Sequence, residues 1–122
     1  MLEAQAVWRV DDRLIPTVLA LPDALFDWAD GPRIADAPFV DNAYAGWDGI
    51  ARIADEGRMV TLEASANAAW AHVYAPRGER FVCVEPVTHR PDALNAPAAE
   101  ASGLVVLQPG ETMAMSLRIT AA

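Results

Sequence analysis

The sequence predicts an all-β fold, and three observations carry that prediction. Short apolar runs recur between Pro, Gly, Asp and Asn residues, the punctuation of strands and turns. Met113, Met115, Leu117 and Ile119 alternate with Thr112, Ala114, Ser116, Arg118 and Thr120, a period of two held over four repeats. Apolar spacing at a period of 3.6 is weak throughout. No internal repeat, low-complexity linker or heptad pattern interrupts the chain, so its 122 residues read as one domain at most.

Taken in order, Ala4 to Val10 reads as a strand closed by Asp11-Asp12. Leu14 to Leu21 carries Pro16, with Pro22 just beyond, and reads as an edge or irregular segment because proline cannot donate to a central ladder. Asp23 to Pro38 is acidic, aromatic and marked by Pro and Gly, which predicts a long loop with one helical turn. Arg58 to Ser65 alternates, with Val60, Leu62 and Ala64 on one face. Trp70 to Ala75 is the next strand, turned by Pro76 to Glu79 with Gly78 into Arg80 to Glu85. Leu104 to Leu107 leads through Pro109-Gly110 into the alternating run at the end. Phe39 to Ile53 and Pro86 to Gly103 read as two long, chemically rich loops, of the kind that carry function in compact domains.

Composition narrows the partners. A hydrophobic share of 53% argues against wholesale disorder. No apolar run approaches the roughly 18 residues that cross a bilayer, and no signal peptide is visible, so the expectation is a cytoplasmic protein without membrane contact. The net charge of −8 repels phosphate backbones and the arginines are scattered, which argues against nucleic acid. The absence of lysine, beside abundant alanine, is read as a coding bias. Cys83 stands alone, so no intrachain disulfide or cysteine metal cluster can form.

Several residues could carry chemistry. Glu85 ends the apolar run Phe81-Val82-Cys83-Val84. A carboxylate placed there is expected to be partly desolvated, which suits a general base, although a glutamate marking the point where a strand meets solvent fits the same pattern. Asp41 and Asn42 suit vicinal hydroxyls, because their oxygens accept from O–H groups and Asn42 also donates. An Asx turn explains them equally. Tyr44 and Trp47 either stack on a sugar face or pack into the core. His72 shares a face with Trp70 and Tyr74 and reads as a strand residue with one hydrogen bond. His89, beside Arg90 in a polar loop, is a candidate substrate contact, and Arg90 could meet a phosphate. Two histidines without acidic neighbours at ligand spacing make no zinc site, and there is no Gly-rich phosphate loop or nucleophile motif.

In consistent order along nearly the whole chain, several segments resemble the C-terminal half of the aldose 1-epimerase (galactose mutarotase-like) family. They are Asp41-Asn42-Ala43-Tyr44-Ala45-Gly46-Trp47 with Gly49, Ala51 and Ile53; Val73-Tyr74-Ala75-Pro76; Phe81 to His89 with Asp92, Ala93 and Asn95; and Gly103-Leu104 through Pro109-Gly110-Glu111 to the last strand. Trp8 and Pro16-Thr17 fall in step with them. The resemblance implies the C-terminal portion of a large antiparallel β-sandwich. It implies that Glu85 takes the anomeric hydroxyl proton of a hexose, that Asp41 holds sugar hydroxyls, and that the α and β anomers interconvert through ring opening without metal or cofactor. The family's catalytic histidines lie N-terminal to the matched region, so the general acid is expected from outside this chain. The expected partners are a monosaccharide and, through sheets left with bare edges, a second copy or a chain supplying the N-terminal half. A non-catalytic carbohydrate-binding or structural half-domain is the alternative.

Overall fold

The computed structural model describes residues 1–97 and 100–122. Eight strands form in chain order: β1 Ala6–Val10, β2 Pro16–Ala20, β3 Val40–Ala45, β4 Ile50–Asp55, β5 Arg58–Ala64, β6 Trp70–Ala75, β7 Cys83–Val87 and β8 Leu117–Ala121. Two antiparallel sheets result, one ordered β2-β1-β3-β6-β7 and one ordered β4-β5-β8. Among the described residues helix is limited to single 3-10 turns at Ile34–Asp36 and Ala93–Asn95. The fold is all-β, as the alternation and punctuation imply. No helix among the described residues is long and apolar enough to cross a membrane.

Local chemistry sets the hairpins. At the β1–β2 turn the Asp11 carboxylate accepts from the backbone amides of Arg13 and Ile15, each at 2.9 Å. Those amides, Ile15 first and Arg13 second, hold its carboxyl below the usual aspartate range. At the β4–β5 turn Glu56 and Gly57 both have positive φ, the geometry that matches the twist of two-residue hairpins.

The core lies between the sheets. On β3, Val40, Asn42 and Tyr44 point inward and are buried, alongside Ala71, Val73 and Ala75 of β6. Trp28, from the long segment after β2, joins this core and its Nε1–H donates to the Tyr44 hydroxyl at 2.9 Å. That bond fastens an otherwise irregular acidic stretch to the sheet. The second sheet contributes Ala51, Leu62 and Ala64.

Three expectations need correction. Phe39 to Ile53, expected as a loop, is strand β3, a turn and the start of β4. Its alternation was disguised because the inward position of Asn42 is polar. Asn42 is tolerated there because its amide donates to the Trp8 carbonyl at 2.8 Å. The strand expected from Arg80 to Glu85 is instead Cys83–Val87 and runs through Pro86, which an edge strand such as β7 accommodates. The strand expected from the closing alternation is shorter than that run: 112–116 finds no sheet partner among the described residues, and β8 begins only at Leu117. By contrast, Pro86 to Gly103 is largely a loop after β7, apart from the 3-10 turn, with residues 98 and 99 outside the described part.

Candidate functional site

Strand register assembles the site. Pairing sets Asp41 opposite Tyr74, and Ala43 opposite His72, between β3 and β6. It sets His72 opposite Glu85, and Tyr74 opposite Cys83, between β6 and β7. Directly paired residues share a face, so Asp41, His72 and Glu85 all project from the side of the five-stranded sheet that faces away from Val40, Tyr44 and Val73. Three adjacent strands contribute one side chain each. Two strand spacings and a two-residue offset separate Asp41 from Glu85, roughly 12 Å between backbones, a gap on the scale of one sugar ring with its hydroxyls.

The Asp41–His72 contact is the best-defined polar feature of this face. His72 Nε2 lies 2.7 Å from Asp41 Oδ1, and both side chains are about one-quarter exposed or less, at 21% and 24%. The pairing sets Nε2–H as donor to the carboxylate, leaving the second Asp41 oxygen as an acceptor. Glu85 is exposed. The partial burial expected for it is not found, because β7 is the sheet's edge and no strand among the described residues continues the face beyond it. An aromatic flank borders the polar group: the Tyr74 ring packs edge-on to Phe39 at 6.2 Å and tilted against Phe81 at 6.4 Å. Phe39 and Phe81 remain about half exposed and offer apolar ring faces to a ligand.

The other end of this face is closed by the loop after β7. Arg90 is 4% exposed and lies over the Trp8 ring at 4.7 Å. Its Nε donates to Glu100, and its Nη1 donates to the Pro91 carbonyl at 2.7 Å. This guanidinium is committed to holding the loop, so the phosphate contact considered for it is corrected. Gly103, at φ +81, lets the loop pass directly over Trp70. A Cβ there would overlap the Thr88 carbonyl oxygen and the Trp70 ring. Left-handed backbone and overpacking together predict that Gly103→Ala costs on the order of 3 kcal/mol, measured as a lowered urea midpoint with unchanged m-value.

Two further candidates are also placed elsewhere. Asn42 is 6% exposed and points into the core, one residue and therefore one face away from Asp41. Trp47 is 6% exposed, belongs to the core cluster and donates to the Ile50 carbonyl at 3.0 Å, which excludes stacking on a sugar. Tyr44 is likewise core. His89 is exposed on the loop, and its Nδ1 lies 3.2 Å from the Oγ1 of Thr88, its own neighbour. The residues that spacing undervalued are His72 and the Phe39–Phe81 pair. Only register brings them beside Asp41, though the shared parity of Trp70, His72 and Tyr74 was a usable signal.

The aldose 1-epimerase family profile matches residues 1–120. The chain belongs to the aldose 1-epimerase family. It is 36% identical over 92 residues to the uncharacterized protein YphB of Escherichia coli (strain K12), a match that covers 66% of this chain and 31% of YphB. It also superposes on the crystal structure of a "putative aldose 1-epimerase" from Escherichia coli K12 with a TM-score of 0.77 and 27% identity. That likeness covers 99% of this epimerase-family chain and 44% of the other. The chain therefore spans less than half the length of the relatives it matches.

The separate cavity of about 360 Å³ between the sheets, lined by Leu2, Trp28, Ile53, Met59, Val73 and Val84 among others, lies behind the site on the core side. No group of three or more His, Cys, Asp or Glu side chains suited to a metal ion occurs among the described residues.

Proposed function

We propose that the outer face of β3, β6 and β7 is one half of a hexose site at which α and β anomers interconvert by ring opening. Asp41 and His72 hold sugar hydroxyls, and Glu85 takes the proton of the anomeric hydroxyl. The observation that carries this reading is the 2.7 Å Asp41–His72 pair, set one strand from Glu85 on a shared face and bordered by exposed aromatic rings. Removing the C1 hydroxyl proton lets the freed O1 electron pair form the C1=O bond as the C1–O5 bond breaks, and the ring oxygen must be protonated as it leaves. Base and acid therefore have to flank the substrate together. His72 is engaged by Asp41 on the same side as Glu85, so the donor to the ring oxygen comes from a polypeptide segment that packs over this face. Closing that face would also exclude water from around Glu85 and the sugar.

The exposure of Glu85 favours a second reading for the chain standing alone: a carbohydrate-binding half-domain without turnover. Both readings share the sugar contacts, and those are tested first. Titration with D-galactose or D-glucose, followed by the His72 ring-proton NMR signals, is expected to show saturable shifts. Asp41→Asn is expected to weaken that binding by about 10- to 100-fold, the loss of a hydrogen bond to a charged group. Unchanged signals at saturating sugar, or equal affinity in Asp41→Asn, would remove the site.

A further inference from the structure

Arginine is among the residues least often buried, yet Arg90 is 4% exposed. It lies on the loop after β7, and its contacts draw the two ends of that loop together. Its backbone N–H donates to the Ser102 carbonyl at 3.1 Å, its Nε donates to Glu100, and its Nη1 donates to the Pro91 carbonyl at 2.7 Å. The guanidinium also rests 4.7 Å from the centre of the Trp8 ring. Burying a guanidinium is costly unless its donors are engaged, and a planar fork engaged in this way admits few other loop conformations.

Strand register places this restraint beside the candidate sugar site. Val7 pairs with Tyr44, and the same register carries Trp8 to Ala43. Ala43 pairs with His72, and His72 with Glu85. Trp8, Ala43, His72 and Glu85 therefore form one row across β1, β3, β6 and β7 on the outer face. Ala43 is 1% exposed although it lies on that face, so the Trp8 half of the row is covered, whereas Glu85 at its other end is open. Trp70, two residues before His72 and on the same face, lies under Gly103 where the loop returns. The cover thus ends beside His72.

We propose that Arg90 is a positioning residue for this site. With Glu100 it pins residues 88–91 and 100–103 onto Trp8 and Trp70, and the pinned loop forms the wall against which a sugar is seated on Asp41 and His72. Arg90 acts through that wall and touches no ligand itself. The proposal rests on the hexose reading of this face, and every contact it uses lies within this chain.

Glu100→Gln keeps the size of its side chain and removes the charge. Arg90→Met keeps an apolar stem against Trp8 and removes every side-chain donor. Each is expected to speed hydrogen exchange at the Arg90 amide and at the buried Trp70 indole N–H by about 10-fold or more, with the amides of β3 and β6 unchanged. D-galactose affinity, read from the His72 ring-proton NMR signals, should fall by about 2- to 30-fold, the range for residues that modulate a site without touching its ligand. Arg90→Lys keeps the charge over Trp8 but lacks the planar fork, so it should fall between Arg90→Met and the parent on both readings. Arg58→Gln, at the exposed start of β5 in the other sheet, should change neither. If Arg90→Met does not fold, the milder Glu100→Gln decides. Faster exchange with undiminished sugar affinity would overturn the positioning role and leave the hexose site standing. Unchanged exchange would overturn the restraint itself. A parent that binds neither D-galactose nor D-glucose would remove the hexose reading and this proposal with it.

Discussion

Replacing Tyr44 by alanine is expected to lower stability by about 3–5 kcal/mol, the loss that follows truncation of a fully buried aromatic ring. Tyr44 is 1% exposed on β3, and its hydroxyl is the acceptor for Trp28 Nε1–H. The substitution opens a cavity at the centre of the five-stranded sheet and strands a buried donor on Trp28. Domains of this size are stable by only about 5–15 kcal/mol, so the variant should be partly unfolded near physiological temperature. Chemical denaturation monitored by tryptophan fluorescence checks this. Tyr44→Phe separates the two contributions, since it keeps the ring and removes only the acceptor, at about 1–3 kcal/mol.

The same residue gives an alkaline signature. Burial pushes the Tyr44 hydroxyl up to about 12 from an ordinary value of 10, partly opposed by the Trp28 hydrogen bond. The folded state therefore holds this proton more tightly than the unfolded chain. The stabilisation is fully present below pH 10 and is lost as pH rises through about 12, a fall of about 3 kcal/mol. In Tyr44→Phe that part of the decline should vanish. An identical alkaline profile in both proteins would show that another group controls it.

Glu85→Gln is expected to reduce the anomer-interconversion rate by about 10² to 10⁴, the usual contribution of a positioned proton-transfer group. Glutamine keeps the shape and still hydrogen-bonds a hydroxyl, so sugar affinity should change little while kcat collapses. Asp41→Asn is expected to act the other way, mainly on KM. The assay follows the optical rotation of freshly dissolved α-D-glucose or α-D-galactose, with the chain alone and with a supplied N-terminal half of the fold. Acceleration only on mixing, lost in Glu85→Gln, supports a shared site. Full activity of the isolated chain would place the proton donor within it and move attention to its two histidines. Rates equal in Glu85→Gln and the parent would refute the base assignment.

Much of this molecule can be read without coordinates, and the residues show why. The strands β5 and β6 and the edge character of β2 are visible because each depends on local properties: side-chain parity, turn residues and the missing proline donor. The family assignment is legible for a related reason, since an ordered set of short motifs survives in sequence whatever their spatial arrangement. Asp41 and Glu85 could be nominated as chemistry-bearing residues in the same way. What remained hidden was pairing. Whether residues 112–116 complete a strand depends on whether a neighbour exists to bond them, and alternation carries no information about the neighbour. Asn42 and Trp47 look like ligands by residue type, but a strand places successive side chains on opposite faces and the core takes both. His72 looks ordinary by spacing. Register alone sets it between an aspartate 31 positions earlier and a glutamate on the next strand. Local periodicity and turn residues thus determined the all-β class, and the ordered motifs determined the family and nominated two acidic groups. Tertiary structure decided which side chains meet, because contacts between strands are fixed by hydrogen-bond register across the sheet and not by distance along the chain.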